Sequence, residues 1–462
     1  MVLQLKFKGE IRDPIHGLIP VTSTEFELIN TPVFQRLRRI RQLAMSELGF
    51  HGAAHNRFGH SIGVMHVVWR LAEHLENSGS VLFKSKSDLE NLRIAALLHD
   101  LGHGPFSHVS EYLLQERLKG SKSKSKTEEI HESITQSIIR LDKDVTKILG
   151  RKRSSQIADL LANDGIRQDF RHDLVSGPLD GDKMDYLIRD SYYAGVQYGH
   201  FDMERLINVL TLVDENKRKR LAIKMEGIQT AEQYVLAKYF IASQVYQHKS
   251  RHVTDRMIIE GIKHSISEGN KELESLYSYN DSLKYLENYV LWYDQRVFES
   301  VLRVGSKKSL GKRYFEMLHN RVLPKEIVCC KFKELTQGST NEAAGLLKRV
   351  QEGDCDSLRG HISAVCKLES EFTRVVAYSL KTPLVQRSFG VVDEEQIRVK
   401  LGEQSTSVLD HESQLYKGIV ETAGDIYIQV FGMPKNALSL SDKKRNEKKV
   451  RKILRQYFEG RL

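Results

Sequence analysis

The sequence predicts a mainly α fold with a smaller α+β region towards its carboxy end, and three observations carry that reading. Over the first 300 residues apolar side chains recur at three- and four-residue spacing, as in Val64, Val67, Val68, Leu71 and Leu75, the period of helices that bury one face. Proline is scarce, 8 in 462 residues, and Pro14, Pro32 and Pro105 stand near turns or helix starts, where a missing N–H is tolerated. Beyond residue 300 the helical pattern mixes with β-rich runs, Gly390-Val391-Val392 and Asp425-Ile426-Tyr427-Ile428-Gln429-Val430-Phe431. Two domains follow: an all-α core over residues 1–300, and an α+β region over 301–462 with regulation or oligomerisation as its expected role.

Taken in order, the elements of the core are helices separated by polar breaks. His60 is read as preceding a helix whose core stripe is Val64, Val67, Leu71 and Leu75, and its spacing of four from Val64 points it towards the interior. Lys84 to Asp88 and Lys119 to Lys126 are rich in Ser and Lys and read as solvated loops. The second also lies where a rim over an anionic substrate would be useful, between His99-Asp100 and His131. Leu92 to Leu98 is nearly all apolar, hence a buried helix, and it runs into His99-Asp100 just before the breakers Gly102, Gly104 and Pro105. From Gly181 a further helix places Asp182, Tyr186, Asp190 and Tyr193 on one face, an acidic and phenolic stripe. The tail from Asp442 to Arg455, strongly basic with Val450, Ile453 and Leu454 interleaved, suits an exposed amphipathic helix; solvated surface, polyanion contact and subunit contact are its readings.

Composition excludes some classes. No stretch approaches the roughly 18 apolar residues that cross a bilayer, and the amino terminus lacks a signal-peptide pattern, so no membrane partner and a cytoplasmic location are expected. Cys329, Cys330, Cys355 and Cys366 form no Cys-x-x-Cys pair, which argues against a disulfide framework and a cysteine zinc site. A formal charge of +10 favours polyanionic partners: nucleotides, nucleic acid or anionic membrane.

Chemistry concentrates in the histidines, of which eight of the 18 fall between His51 and His108. An adjacent His99-Asp100 pair closing a buried helix is costly unless both groups have partners, and a divalent cation such as Mn, Fe, Zn or Mg would supply one.

His60, His99-Asp100 and Asp182, in that order, resemble the H…HD…D signature of the HD-domain superfamily of metal phosphohydrolases. The chain is similar in particular to the deoxynucleoside triphosphate triphosphohydrolase branch, which includes the vertebrate sterile-alpha-motif HD protein and bacterial relatives. Asp13-Pro14-Ile15-His16-Gly17, Thr31-Pro32-Val33-Phe34-Gln35-Arg36-Leu37-Arg38, His55-Asn56-Arg57-Phe58-Gly59-His60-Ser61 and His99 through His108 carry the likeness, extended by Asp182-Lys183-Met184-Asp185-Tyr186 and Tyr246-Gln247-His248-Lys249.

The resemblance implies a metal held by His60, His99, Asp100 and Asp182, and a reacting phosphate lined by His103, His108, Glu111 and His131. His108 would act as acid, base or nucleophile, and Glu111, where the vertebrate relative carries Asp, would orient it. Arg57, Lys183, Arg205 and Lys238 fall at phosphate-binding positions, Lys238 replacing an Arg. Gln42, Leu43, Tyr186, Asp190 and Tyr246 fall in the sugar and base pocket, and Ala242 replaces a family histidine. At the family's activating nucleotide site Gln35, Arg38 and Lys249 match while Asn30 replaces the guanine-reading Asp.

The implied activity is cleavage of a dNTP to deoxynucleoside and tripolyphosphate by a dimer or tetramer open to an allosteric nucleotide. A phosphohydrolase or phosphodiesterase acting on another nucleotide or on single-stranded nucleic acid, and a nucleotide-binding sensor, are the alternatives.

Overall fold

The computed structural model describes residues 5–462 except 79–81, 84, 120–129, 163–168, 216, 281, 305, 307, 337–340, 354, 381–395, 403–404 and 437–439. The run at 390–392 and most of the Lys119 to Lys126 stretch lie outside the described residues, as does Lys84.

The chain opens with an antiparallel hairpin, β1 (Gly9–Asp13) and β2 (Gly17–Val21), closed by the Asp13-to-Gly17 turn. Asp13 Oδ1 accepts from the N–H groups of Ile15 and His16 at 2.9 and 3.0 Å, and Gly17 takes φ 73°, so the turn is self-capped. Thr22 and Glu25 then form a reciprocal capping box at the start of α1 (Ser23–Ile29).

Four helices carry or flank the histidine segments singled out in the sequence: α2 (Arg57–Asn77), α3 (Lys86–Leu98), α4 (His108–Lys119) and α5 (Ile130–Leu141). They are joined by α6 (Gly181–Ala194), whose Asp180 side chain caps Lys183 N–H. Asn56 caps α2, so His60 lies inside the first turn of that helix and does not precede it; the helix starts earlier than the apolar stripe from Val64 indicates. Ser85 caps α3 through Asp88 N–H, so Lys86 to Asp88 are its first turn and not loop. Helix α2 packs against α3 and α6. At Gly63 a Cβ would stand 1.9 Å from Asp185 Oδ1, so only glycine lets α2 and α6 approach this closely.

Helix α7 (Met203–Val209) leads into β3 (Leu210–Glu215) and β4 (Arg218–Lys224), followed by α8 (Ile228–Ile241) and α9 (Lys249–Ser267). The two hairpins interrupt the all-helical pattern expected before residue 300. Their strands are short and half exposed, so neither leaves a long alternating signature.

Among the remaining elements are β5 (Lys325–Lys331), α10 (Asn341–Glu352), α11 (Asp356–Cys366), β6 (Arg374–Ser379), β7 (Arg398–Lys400), β8 (Thr406–Val408), β9 (Ile426–Gly432) and α12 (Leu440–Phe458). The strand order is β3-β4-β7-β8 in one sheet and β5-β9-β6 in the other. The second sheet faces two ways. Val376 and Phe431 join the large core, while Ile428 and Val430 join a smaller one with Val350, Leu358, Ile362, Val450 and Leu454. The apolar row of α12 is thus buried, and its cationic side meets solvent. All four cysteines are free.

The fold is mainly α with a smaller α+β region. Among the described residues no helix is long and apolar enough to cross a membrane.

Candidate active site

Helices α2 and α6 and the end of α3 bring together side chains that are far apart in sequence. His60 Nε2 lies 2.9 Å from Asp182 Oδ1 and 3.7 Å from Asp100 Oδ2, and His99 Nε2 lies 3.2 Å from Asp100 Oδ1 and 3.7 Å from Asp182 Oδ1. The other ring nitrogens are already engaged. His99 Nδ1 is 2.7 Å from the Ala96 carbonyl, and His60 Nδ1 is 2.8 Å from Asp185 Oδ2. Anchoring at Nδ1 fixes the tautomer and turns each Nε2 inward, the arrangement of metal-binding histidines.

Whether these residues fit a cation can be judged from their atoms. Among the described residues His99 Nε2 is buried with no aligned hydrogen bond, although it lies close to Asp100, and His60, His99 and Asp182 each bring a ligand atom within 4.8 Å of the others. Two imidazole nitrogens with carboxylate oxygens make a donor set for Mn, Fe, Zn or Mg. Burial opposes a charge on His60, yet hydrogen bonds to Asp182 and Asp185 outweigh it and push its pKa up to about 10. A field that holds a proton this tightly also favours a divalent cation. The residues therefore fit the metal that the sequence implies.

Next to this cluster Glu111 gathers three histidines. Its Oε1 is 2.8 Å from His103 Nδ1 and 3.1 Å from His108 Nδ1, and its Oε2 is 3.2 Å from His131 Nδ1. The His103 and His131 rings stack at 4.2 Å. His103 links the two clusters, its Nε2 lying 3.3 Å from Asp100 Oδ1. Burial, Arg57 and His131 push the His103 pKa down to about 4, leaving a neutral ring. For His131 burial again disfavours charge, but Glu111 prevails and raises it to about 9. His108 is the accessible member, with 61% of its side chain exposed.

The loop between α3 and α4 is held under constraint. Phe106 and Ser107 adopt φ of 60° and 55°, and Asp294 Oδ1 accepts from Phe106 N–H at 2.7 Å. Arg57 is buried; its Nη1 donates to Asp100 Oδ2 at 2.7 Å and its Nε to Ser107 Oγ at 2.8 Å.

The acidic and phenolic face of α6 converges as well. Asp190 Oδ2 accepts from Tyr246 Oη at 2.5 Å, Tyr186 stands edge-on to Tyr246 at 6.2 Å, and Asp190 Oδ1 is 2.7 Å from His55 Nε2. His55 stacks on Tyr193 at 4.6 Å, and its carbonyl accepts from Gln42 N–H at 3.1 Å. Gln42 and Leu43 are buried. Lys183 Nζ donates to Asp180 Oδ2 at 2.6 Å, and Lys238 is buried in α8. Arg205 is exposed in the first turn of α7.

Sequence reading assigned no role to Asp185, His16, Arg189 and Asp13, which brace His60. Asp185 receives Arg189 Nε at 2.8 Å and lies 2.7 Å from His16 Nε2, while Arg189 Nη1 reaches Asp13 Oδ2 at 2.9 Å. Only the spacing of four between Asp185 and Arg189 was visible in the chain. His55 likewise carries no local signal of its role, since its partner Asp190 is 135 residues away.

An HD domain profile matches residues 57–169, and an HD associated region profile matches residues 201–410. The Bacillus subtilis uncharacterized protein YwfO is 35% identical over 334 residues, 66% of this chain and 70% of that protein. Deoxynucleoside triphosphate triphosphohydrolase SAMHD1 is 27% identical over 358 residues in Danio rerio and 28% over 377 residues in Homo sapiens. These matches take in 71% and 70% of this chain, but 56% and 59% of the two animal proteins, so the chain spans little more than half of their length. A phosphohydrolase from Bacteroides thetaiotaomicron shares the fold, with a TM-score of 0.68 and 24% identity over 93% of this chain and 100% of its own. With the histidine and aspartate pair closing α3, the inward-turned His60 and these two profiles, the chain belongs to the HD-domain family of phosphohydrolases.

Proposed function

We propose that this protein is a metal-dependent deoxynucleoside triphosphate triphosphohydrolase that cleaves a dNTP to the deoxynucleoside and tripolyphosphate. The observation that carries this reading is the bridge made by His103, between the Asp100 cluster and the Glu111 histidine cluster. A metal site and an acid–base site share one wall, as hydrolysis of a phosphoester requires. The likeness to the SAMHD1 proteins supports the dNTP as substrate.

His60, His99, Asp100 and Asp182 would hold the cation, which when bound polarises a phosphoryl oxygen and stabilises the charge that develops on it. Glu111 orients His108, whose exposure suits it to deliver a proton to the departing 5′-oxygen. His131, charged at neutral pH, offers a cation to the phosphate, and Lys183, Lys238, Arg205 and Arg57 supply further positive charge at the positions that the family uses. Asp190 and Tyr246, closed on each other, would form the sugar pocket with Tyr186, Gln42 and Leu43, its close packing excluding a 2′-hydroxyl.

Work in the cytoplasm, assembly into dimers or tetramers, and a nucleotide-responsive site at Gln35 and Arg38 complete the proposal. Arg38 Nε donates to Gln35 Oε1 at 2.8 Å, so the two side chains already stand together.

The test incubates the pure protein with Mn or Mg and each dNTP, rNTP or a single-stranded oligonucleotide, and resolves the products. Tripolyphosphate with free deoxynucleoside is the expected result. Shortened oligonucleotides, or binding without turnover, would replace this reading with a phosphodiesterase or a sensor.

A further inference from the structure

The net charge of the chain is unevenly placed. Helix α12 carries eight Lys and Arg against two acids, a net of +6 compared with +10 for the whole sequence. Its apolar row of Val450, Ile453, Leu454, Tyr457 and Phe458 is buried in the smaller core. On the opposite side Lys444, Lys448, Lys452 and Arg455 fall within about 80° of arc at 3.6 residues per turn, and all four are exposed. Arg445 and Arg451 are engaged by Asp442 and Glu447. The four cations of the stripe have no hydrogen bond or ion pair with any described residue.

The stripe runs about 16 Å along the helix, its cations roughly 5–6 Å apart. That length exceeds a triphosphate. Membrane insertion of an amphipathic helix needs its apolar face, which here is committed to the core. A regular row of single-sign charge without apolar anchors matches a polymer of regularly spaced phosphates. We propose that this face of α12 binds the phosphate backbone of nucleic acid without regard to sequence, at a site separate from the hydrolytic centre.

The test measures binding of a fluorescent 20-nucleotide DNA, duplex and single-stranded, by anisotropy between 50 and 200 mM salt. The comparison is the full chain against K444E/K448E/K452E/R455E, with a Gln version of the same four positions as a milder variant. Loss of four phosphate contacts makes the slope of log affinity against log salt shallower by about 3–4 for duplex DNA. Affinity at 100 mM salt should fall at least about tenfold in the Glu variant and by less in the Gln variant, with unchanged circular dichroism. His99→Ala should bind DNA as tightly as the unaltered protein. Equal slopes in all variants, DNA binding lost in His99→Ala, no salt-sensitive binding at all, or preference for phosphatidylserine vesicles over DNA would each overturn the proposal. None of these outcomes bears on dNTP turnover, so the two proposals fail independently.

Discussion

His60 and Asp185 meet at 2.8 Å between Nδ1 and Oδ2, both buried, and Asp185 is itself held by Arg189 and His16. The carboxylate that orients the proposed ligand is thus tied to the first hairpin, through His16 and through Asp13 on Arg189. Asp185→Asn keeps the shape but removes the charge that fixes the His60 tautomer. Affinity for Mn should fall about tenfold to hundredfold, read by competition with a chelator, while the far-ultraviolet spectrum stays the same. Undiminished affinity would remove Asp185 from the metal account.

His131 should impose a pH dependence. Its pKa is raised to about 9 from an ordinary 6.5, because Glu111 outweighs the effect of burial. The folded state therefore holds the proton more tightly than the unfolded chain. This contribution to stability is complete below about pH 6.5 and is lost as pH rises through about 9. Thermal melts of the wild type should fall faster across that interval than those of His131→Gln. Parallel curves would mean that the ring is not held protonated by Glu111.

Glu25 and Arg93 form an ion pair with both side chains fully buried, at 2.6 Å and 2.9 Å, and Glu25 also completes the capping box of α1. Arg93→Met leaves the carboxylate buried without its counter-charge. Urea melts should show a loss of about 3–5 kcal/mol. A change under 1 kcal/mol would show that the pair does not hold α1 to α3.

How much of this was legible in the chain depends on the range of the interaction. His99-Asp100 could be read because a nearly unbroken apolar run delivers it to the interior, and the stripe of Asp182, Tyr186 and Asp190 because helical spacing is local. Asp185, His16 and His55 could not be assigned, since their partners lie 125, 169 and 135 residues away and only the tertiary fold unites them. The two hairpins before residue 300 were hidden by short strands. The α12 helix was visible as amphipathic, but the cover over its apolar row, the β5-β9-β6 sheet with α10 and α11, is a product of packing.

His55 should matter for sugar selection under the proposed activity. It holds Asp190 Oδ1 while Tyr246 holds Oδ2. His55→Leu leaves one carboxylate oxygen unpaired, a cost of about 1–3 kcal/mol. kcat/KM for dNTPs should drop about tenfold to hundredfold, mainly through KM, and the ratio of dNTP to rNTP turnover should narrow. An unchanged ratio would place sugar discrimination elsewhere.

Hydrolysis in water enriched in oxygen-18 tests the central claim most directly, because it reports which bond breaks and where water adds. Attack on the α-phosphorus with departure of the 5′-oxygen puts the label in tripolyphosphate and leaves the deoxynucleoside unlabelled, and that is the predicted result by mass spectrometry. Label in the deoxynucleoside, or release of pyrophosphate or orthophosphate as the first product, would contradict the account.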